Sequence, residues 1–166
     1  MKLHAFRIVK QRLASEAFTG EGARLYGGRW NRPGHAMVYT ASSTSLAMLE
    51  MLVHLDASAL LHSYVFFEVE FDDSLVTELD IQALPNDWRA SPAMPEVQQL
   101  GDDWLRSMRS AVLRVPSAII PHEPNYLLNP HHKQFAKLTM SKPLPIEFDP
   151  PPSLVGWLPR PRLQID

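Results

Sequence analysis

The stretch at residues 20–54, GEGARLYGGRWNRPGHAMVYTASSTSLAMLEMLVH, decides how this chain is read. It opens on small and cationic residues: Gly20, Gly22, Arg24, Gly27, Gly28 and Arg29. It turns apolar through Met37, Val38 and Tyr39, then ends in a run over 46–54 whose one acid is Glu50. A carboxylate in an apolar run is costly if it faces a core without a partner. Glu50 therefore either points at solvent or has a pocket built around it. The glycines and Pro33 predict a loop over 20–34. Met37, Val38, Tyr39 and Thr40 suit a short strand at 36–40. Ser42, Ser43, Thr44 and Ser45 offer several helix N-caps. The helix they open, running to about residue 55, is apolar almost all round, which predicts burial.

Working outward, residues 4–9 read as a short strand carrying Arg7, and 15–18 as a turn of helix. Residues 63–71 read as a strong strand, with Val65, Phe67, Val69 and Phe71 alternating against Phe66, Glu68 and Glu70. A connection over 79–88, broken at Pro85, leads to a helix at 95–109. Pro95 fits its first turn, and Val97, Leu100, Trp104, Leu105 and Met108 recur at helical spacing. Short strands at 111–115 and 117–120 flank Pro116. Residues 125–129 read as a compact apolar loop, 131–138 as a short helix and 144–148 as a last strand. Pro150, Pro151, Pro152, Pro159 and Pro161 then make a tail that is neither regular helix nor sheet. Trp157 and Leu158 in that tail could dock on the domain or on a partner. The organisation predicted is one domain over 1–149 and a proline-rich tail over 150–166.

Composition narrows the function classes. The 166 residues carry a formal net charge of −2, whereas a general nucleic-acid binder would be markedly basic. Apolar residues at 45% and charged residues at 20% predict a soluble globular domain. With no cysteine there is no disulfide, thiolate metal site or thiol nucleophile, which suits a reducing cytoplasm. No apolar stretch follows Lys2 as a secretory signal would require, and no run reaches the length of a membrane span.

Several residues could carry chemistry. Glu50 could pair locally with His54 at i+4, or it could face a pocket. The two make a poor metal site, since no third ligand stands at a recognisable spacing, and His122, His131 and His132 lack metal-site spacing too. Arg24 and Arg29, in a glycine-rich loop, suit a phosphate-bearing ligand because the guanidinium fork is planar and permanently charged; otherwise they are solvated loop charges. The spacings of a P-loop and of a dinucleotide fingerprint are both absent here. Trp30 could stack on a base or a nicotinamide ring, or anchor the loop. Ser117 lacks a hydrolase nucleophile elbow, and Asn125 and Asn129 are natural turn residues.

Taken together, Gly22-Ala23-Arg24, Gly27-Gly28-Arg29-Trp30-Asn31, Gly34, Val38-Tyr39, Ser45-Leu46-Ala47, Leu49-Glu50 and Val53-His54 resemble the RES domain. So do Val115-Pro116-Ser117-Ala118-Ile119-Ile120-Pro121, Asn125-Tyr126-Leu127-Leu128-Asn129-Pro130 and His132. The resemblance covers residues 6–149. It implies a single compact α+β domain similar to the ADP-ribosyltransferase toxins, with a mixed β core and flanking helices. It implies an NAD+-consuming toxin of a type II toxin–antitoxin pair, with no metal. The partner would be an Xre-type helix-turn-helix antitoxin, with a homodimer inside that complex. The family's arginine, tyrosine, glutamate and serine fall on Arg29, Tyr39, Glu50 and Ser117. Arg7 aligns with an early arginine near the pocket, and Arg24 and Asn125 join it as ligand-binding positions alongside Trp30. On that reading Glu50 stabilises the cation formed as the nicotinamide–ribose bond breaks. Arg7 and Arg29 hold phosphate, Tyr39 meets the nicotinamide ribose region, and Ser117 hydrogen-bonds the ligand. Water, inorganic phosphate and a protein side chain all remain open as acceptor. The rivals are a transferase that modifies a protein target and a non-enzymatic interaction module. Gly27 and Gly28 are the expected mobile approach to the cleft.

Overall fold

The computed structural model describes residues 1–53 and 63–146. His54, Trp157, Leu158, the proline-rich segment and the end of the expected 144–148 strand lie outside them.

The alternating strand emerges as β3 (Tyr64–Asp72), whose Val65, Phe67, Val69 and Phe71 are all buried. It pairs antiparallel along its whole length with β1 (Lys2–Lys10). On β1 the period of two places Ala5, Arg7 and Val9 on one face, opposite Val69, Phe67 and Val65. Arg7 thus occupies a position where the pattern asks for an apolar residue. β7 (Thr139–Met140) and β8 (Leu144–Ile146) also pair with β3.

The other half of the sheet runs β4 (Val76–Glu78), β5 (Val112–Pro116), β6 (Pro124–Leu128) and β2 (Val38–Ala41). The β4–β5 pair is parallel, and the rest are antiparallel. The halves meet where β1 and β2 share one register pair, Phe6 with Ala41. β1 shares nine such pairs with β3, so β1 and β2 part on either side of a single contact.

Three α-helices among the described residues complete the α+β domain. α1 (Glu21–Tyr26) interrupts the segment expected to be loop. α2 (Thr44–Leu52) is capped by Ser43, whose Oγ accepts from Leu46 N at 3.1 Å. It lays Leu46 and Ala47 against Ala41, Phe6, Ile8 and Ile120. Burial all round is not what it shows: Leu49 and Leu52 are each 41% exposed. Glu50 follows Leu46 and Ala47 by four and three residues and so shares their inward face. α3 (Pro95–Ser107) begins on Pro95 as expected and packs Val97, Trp104 and Leu105 with Trp30, Met37, Leu113, Val115 and Leu127.

Four further expectations need correcting. Residues 125–129 are mostly the central strand β6, because Tyr126, Leu127 and Leu128 are fully paired on both edges. Residues 117–120 are not a strand: Ser117 Oγ accepts from the backbone N–H of both Ile119 and Ile120 at 3.1 Å, which closes a turn. Within 131–138 the helical part is a 3₁₀ turn at Phe135–Lys137. Near the N-terminus the helical turn precedes its expected place, as 3₁₀ at Gln11–Glu16.

Candidate active site

Glu50 is half-buried and held at one oxygen. Its Oε1 accepts from Ser117 Oγ at 2.8 Å and from Asn125 Nδ2 at 2.7 Å. Ser117 comes from the end of β5 and Asn125 from β6, so residues 67 and 75 positions away converge on one carboxylate. The Ser117 hydroxyl is fully used, donating to Glu50 and accepting two backbone N–H bonds, and Ser117 is 0% exposed. The direct bond to a ligand expected of Ser117 is therefore replaced by a bond that orients Glu50. Oε2 has no partner among the described residues.

Arg7 lies at the parting of β1 and β2. Its Nη1 donates to the Tyr39 carbonyl at 2.8 Å, where a continuous ladder would have placed a backbone N–H. No carboxylate faces it among the described residues. Burial pushes its pKa down to about 10, still far enough above neutral that the guanidinium keeps its charge. Two buried side-chain atoms among the described residues lack any partner: Arg7 Nε and Asn125 Oδ1. Buried polar atoms are nearly always bonded, so these two are exceptions to the rule.

The arginine loop is organised differently. Asn31, buried at 0% exposure, donates through Nδ2 to the carbonyls of Ala23, Arg32 and His35 at 2.9–3.1 Å. Its Oδ1 accepts from Tyr39 Oη at 2.6 Å, and Tyr39 Oη accepts from Trp30 N at 3.0 Å. The Tyr39 hydroxyl, expected near a ribose, is thus committed to the loop, and burial raises its pKa. From α3, Gln98 Nε2 donates to the Gly28 carbonyl at 2.9 Å, and Asp102 accepts from Arg32 N and Nε. A Cβ at Gly28 would stand 2.5 Å from Tyr39 Oη, and one at Gly101 only 1.8 Å from the Trp30 carbonyl oxygen. The glycines therefore permit close approach, and the loop is clamped where a mobile approach was expected.

The clamp presents Arg29, whose Nη1 donates to the carbonyls of Trp88 and Ala90 at 2.8 and 3.0 Å. Trp30, expected as a platform for a ligand ring, is 2% exposed and packs on Trp88 at 5.9 Å between centroids. It is a core residue. Arg24 pairs with Glu21 on the outer face of α1. The structure thus gathers Glu50, Ser117 and Asn125 around one carboxylate and sets Arg7 against the backbone of Tyr39. It ties Tyr39 to both Arg7 and the Arg29 loop, and it leaves Arg24 and Trp30 outside the polar cluster. No group of acids and histidines among the described residues could hold a metal ion, and no described helix is long and apolar enough to cross a membrane.

Asn31, Gln98, Asp102 and Arg89 were given no role in the sequence. Gln98, Gly101, Asp102 and Leu105 share a face at i, i+3, i+4 and i+7, and polar and small residues on that face are a legible sign of contact with backbone.

The RES domain family model matches residues 4–149. A protein named "Toxin Res" from Yersinia enterocolitica is 47% identical over 146 residues, covering 87% of this chain and 96% of that protein. A "Prs ADP-ribosylating toxin" from a Sphingobium species is 38% identical over 139 residues, covering 82% and 86%. Among solved structures, a chain from the crystal structure of the M. tuberculosis MbcT–MbcA toxin–antitoxin complex superposes with a TM-score of 0.72. It covers 95% of this chain and 89% of its own at 21% identity, a likeness of fold.

Proposed function

This chain belongs to the RES domain family, and from that premise we propose that it is the toxin of a toxin–antitoxin pair. Its activity would be cleavage of NAD+ at the nicotinamide–ribose bond, with water or inorganic phosphate as acceptor. An Xre-type antitoxin would hold it in check by covering the cleft. The observation that carries this reading is a Glu50 whose Oε1 is fixed by two donors, in a domain whose Arg7 is held by a backbone carbonyl and meets no carboxylate among the described residues. NAD+ offers a diphosphate for the cation and a ribose for the carboxylate.

The chemistry follows from those groups. Nicotinamide leaves with the C–N bonding pair and becomes neutral as it does so, so the leaving group needs no proton. The ribose C1 takes on positive charge, and Glu50 stabilises it. Ser117 and Asn125 spend their donors on Oε1, which fixes the carboxylate before substrate arrives. Preorganisation of this kind is where electrostatic catalysis gains most. Arg7 and Arg29 hold the diphosphate as charge-assisted forks.

Glu50→Gln tests the reading. It keeps the shape and an acceptor oxygen and removes the charge. NAD+ consumption is expected to fall by about 10²–10³-fold, with the circular dichroism spectrum and melting midpoint retained. Wild-type turnover in the variant would remove Glu50 from the reaction. The Sphingobium relative's name supports a second reading, transfer of ADP-ribose to a protein. Labelled NAD+ separates the two: label retained on a protein band indicates transfer, and label released as a small molecule indicates cleavage. NAD+ left intact under every condition would leave an interaction module.

A further inference from the structure

The segment Trp88-Arg89-Ala90 touches both Arg29 and the turn that follows Ser117. The carbonyls of Trp88 and Ala90 hold Arg29. Between them Arg89 reaches that turn, and its Nε donates to the Ala118 carbonyl at 2.7 Å. Ala118 follows Ser117, whose hydroxyl fixes Glu50. Three consecutive residues therefore bind the arginine loop to the glutamate corner.

The described arginines whose side chains are hydrogen-bonded fall into two groups. Arg24, Arg32, Arg106 and Arg114 each reach a carboxylate. Arg7, Arg29 and Arg89 are bonded to backbone carbonyls. A carboxylate neutralises a guanidinium, whereas a carbonyl orients it and leaves its charge available. Arg89 is exposed, and its two Nη atoms have no partner among the described residues. That is an aimed, charged fork with its outer donors open, which suits a phosphate group better than a lysine would.

We infer that Arg89 is a third phosphate-binding arginine of this site, acting on the Ser117 side of the cleft. The inference rests on the reading of the cleft as an NAD+-cleaving site. Two phosphates could meet Arg89 there: the diphosphate of the dinucleotide, or free inorganic phosphate as the acceptor. In the second case a phosphate oxygen forms the bond to ribose C1 as the C–N bond breaks, and nicotinamide leaves with that bonding pair. No electrons are exchanged with a third party. Arg89 would offset the repulsion between the incoming phosphate and the diphosphate already held.

The test compares wild type, Arg89→Gln and Arg89→Lys, with initial rates of NAD+ loss measured across NAD+ and inorganic phosphate concentrations. Arg89→Gln is expected to raise one KM by about tenfold while kcat changes far less, and Arg89→Lys to recover part of the loss. A rise in the KM for phosphate assigns Arg89 to the acceptor, and a rise in the KM for NAD+ assigns it to the diphosphate. Both constants unchanged would overturn the inference. Calorimetric titration with pyrophosphate and with inorganic phosphate separates this result from failure of the NAD+ reading itself. Weaker binding of either anion by Arg89→Gln than by wild type sustains Arg89 as an anion residue even in a protein that spares NAD+. Equal affinities for both anions, or no binding of either by wild type, would overturn it.

Discussion

Around Asn31 every buried side-chain polar atom of the described residues has a partner, whereas Asn125, which bonds Glu50, and Arg7 each leave one over. The first cluster joins Asn31, Tyr39, Gln98 and Asp102 to the backbone of the arginine loop, and its donors and acceptors match. The second joins Glu50, Ser117 and Asn125 and leaves Asn125 Oδ1 over, as Arg7, bonded to the Tyr39 carbonyl, leaves its Nε. Both clusters consist of polar side chains in a low-dielectric setting, where unmade bonds are expensive. The difference teaches which of them holds the structure and which waits for something outside it. A closed network rigidifies a loop; an open one has donors and acceptors left for the site proposed here.

Breaking the closed cluster should give the largest change in stability. Gly101→Ala sets a methyl against the Trp30 carbonyl oxygen, a backbone atom that cannot swing away. The variant gains helix propensity, yet a loss of about 3 kcal/mol is expected from overpacking, read as a lower denaturant midpoint at unchanged m-value. Gly22→Ala is the matching control: it lies in α1 with nothing within 4 Å of an added Cβ. It should be neutral or slightly stabilising. Equal midpoints for the two variants would mean that α3 does not clamp the loop.

The open cluster responds to a different change. Arg7→Met removes a part-buried cation that has no carboxylate partner among the described residues, so stability without ligand should stay within about 1 kcal/mol of wild type. What should vanish is stabilisation by an anion. Pyrophosphate at a hundred times its dissociation constant is expected to add about 2.7 kcal/mol to wild type and almost nothing to Arg7→Met. The sign of the pH dependence follows from the lowered folded pKa of about 10. Below that pH the folded protein bears the whole cost of desolvating the charge. As pH rises through about 10, the folded state sheds the proton more readily than the unfolded one, and the cost fades. An anion favours the charged form, so its stabilising effect should weaken over the same rise. An anion effect unchanged in Arg7→Met would place the phosphate elsewhere.

The same contrast explains what could be read from sequence. β3 and α3 were legible because each buries one face at a clean period, and that period is written in consecutive residues. α1 was not: Gly20 and Gly22 argue for loop, and the six-residue helix is supported from outside itself by Asn31 bonding the Ala23 carbonyl. β6 was hidden by Asn125 and Asn129, whose usual meaning is a turn, although Asn125 aims its amide at Glu50. Glu50, Ser117 and Arg29 were reached through their motif. The partners of the Ser117 and Tyr39 hydroxyls were not legible, because which partner saturates a hydroxyl depends on residues elsewhere in the chain. Arg89 left no signal, since an arginine between a tryptophan and an alanine in a connecting loop looks like any surface charge.

The smallest expected effect belongs to Arg24, which lies outside both clusters. The resemblance placed it among the ligand-binding residues, while the structure shows its Nε and Nη2 donating to Glu21 at 2.7 and 2.5 Å. The pair spans i and i+3 of α1, with the two side chains 46% and 44% exposed. Exposed pairs at helical spacing contribute a few tenths of a kcal/mol and are screened by salt. Arg24→Ala should therefore shift stability by less than about 0.5 kcal/mol, with the shift shrinking further in high salt. NAD+ turnover should stay within about twofold of wild type. Its carboxylate partner is the physical reason: a guanidinium already neutralised by Glu21 has less to offer a phosphate than Arg7, which has none. A tenfold rise in the KM for NAD+ on Arg24→Ala would show that Arg24 leaves Glu21 when substrate arrives, and it would move α1 from the outer face of the domain into the open cluster.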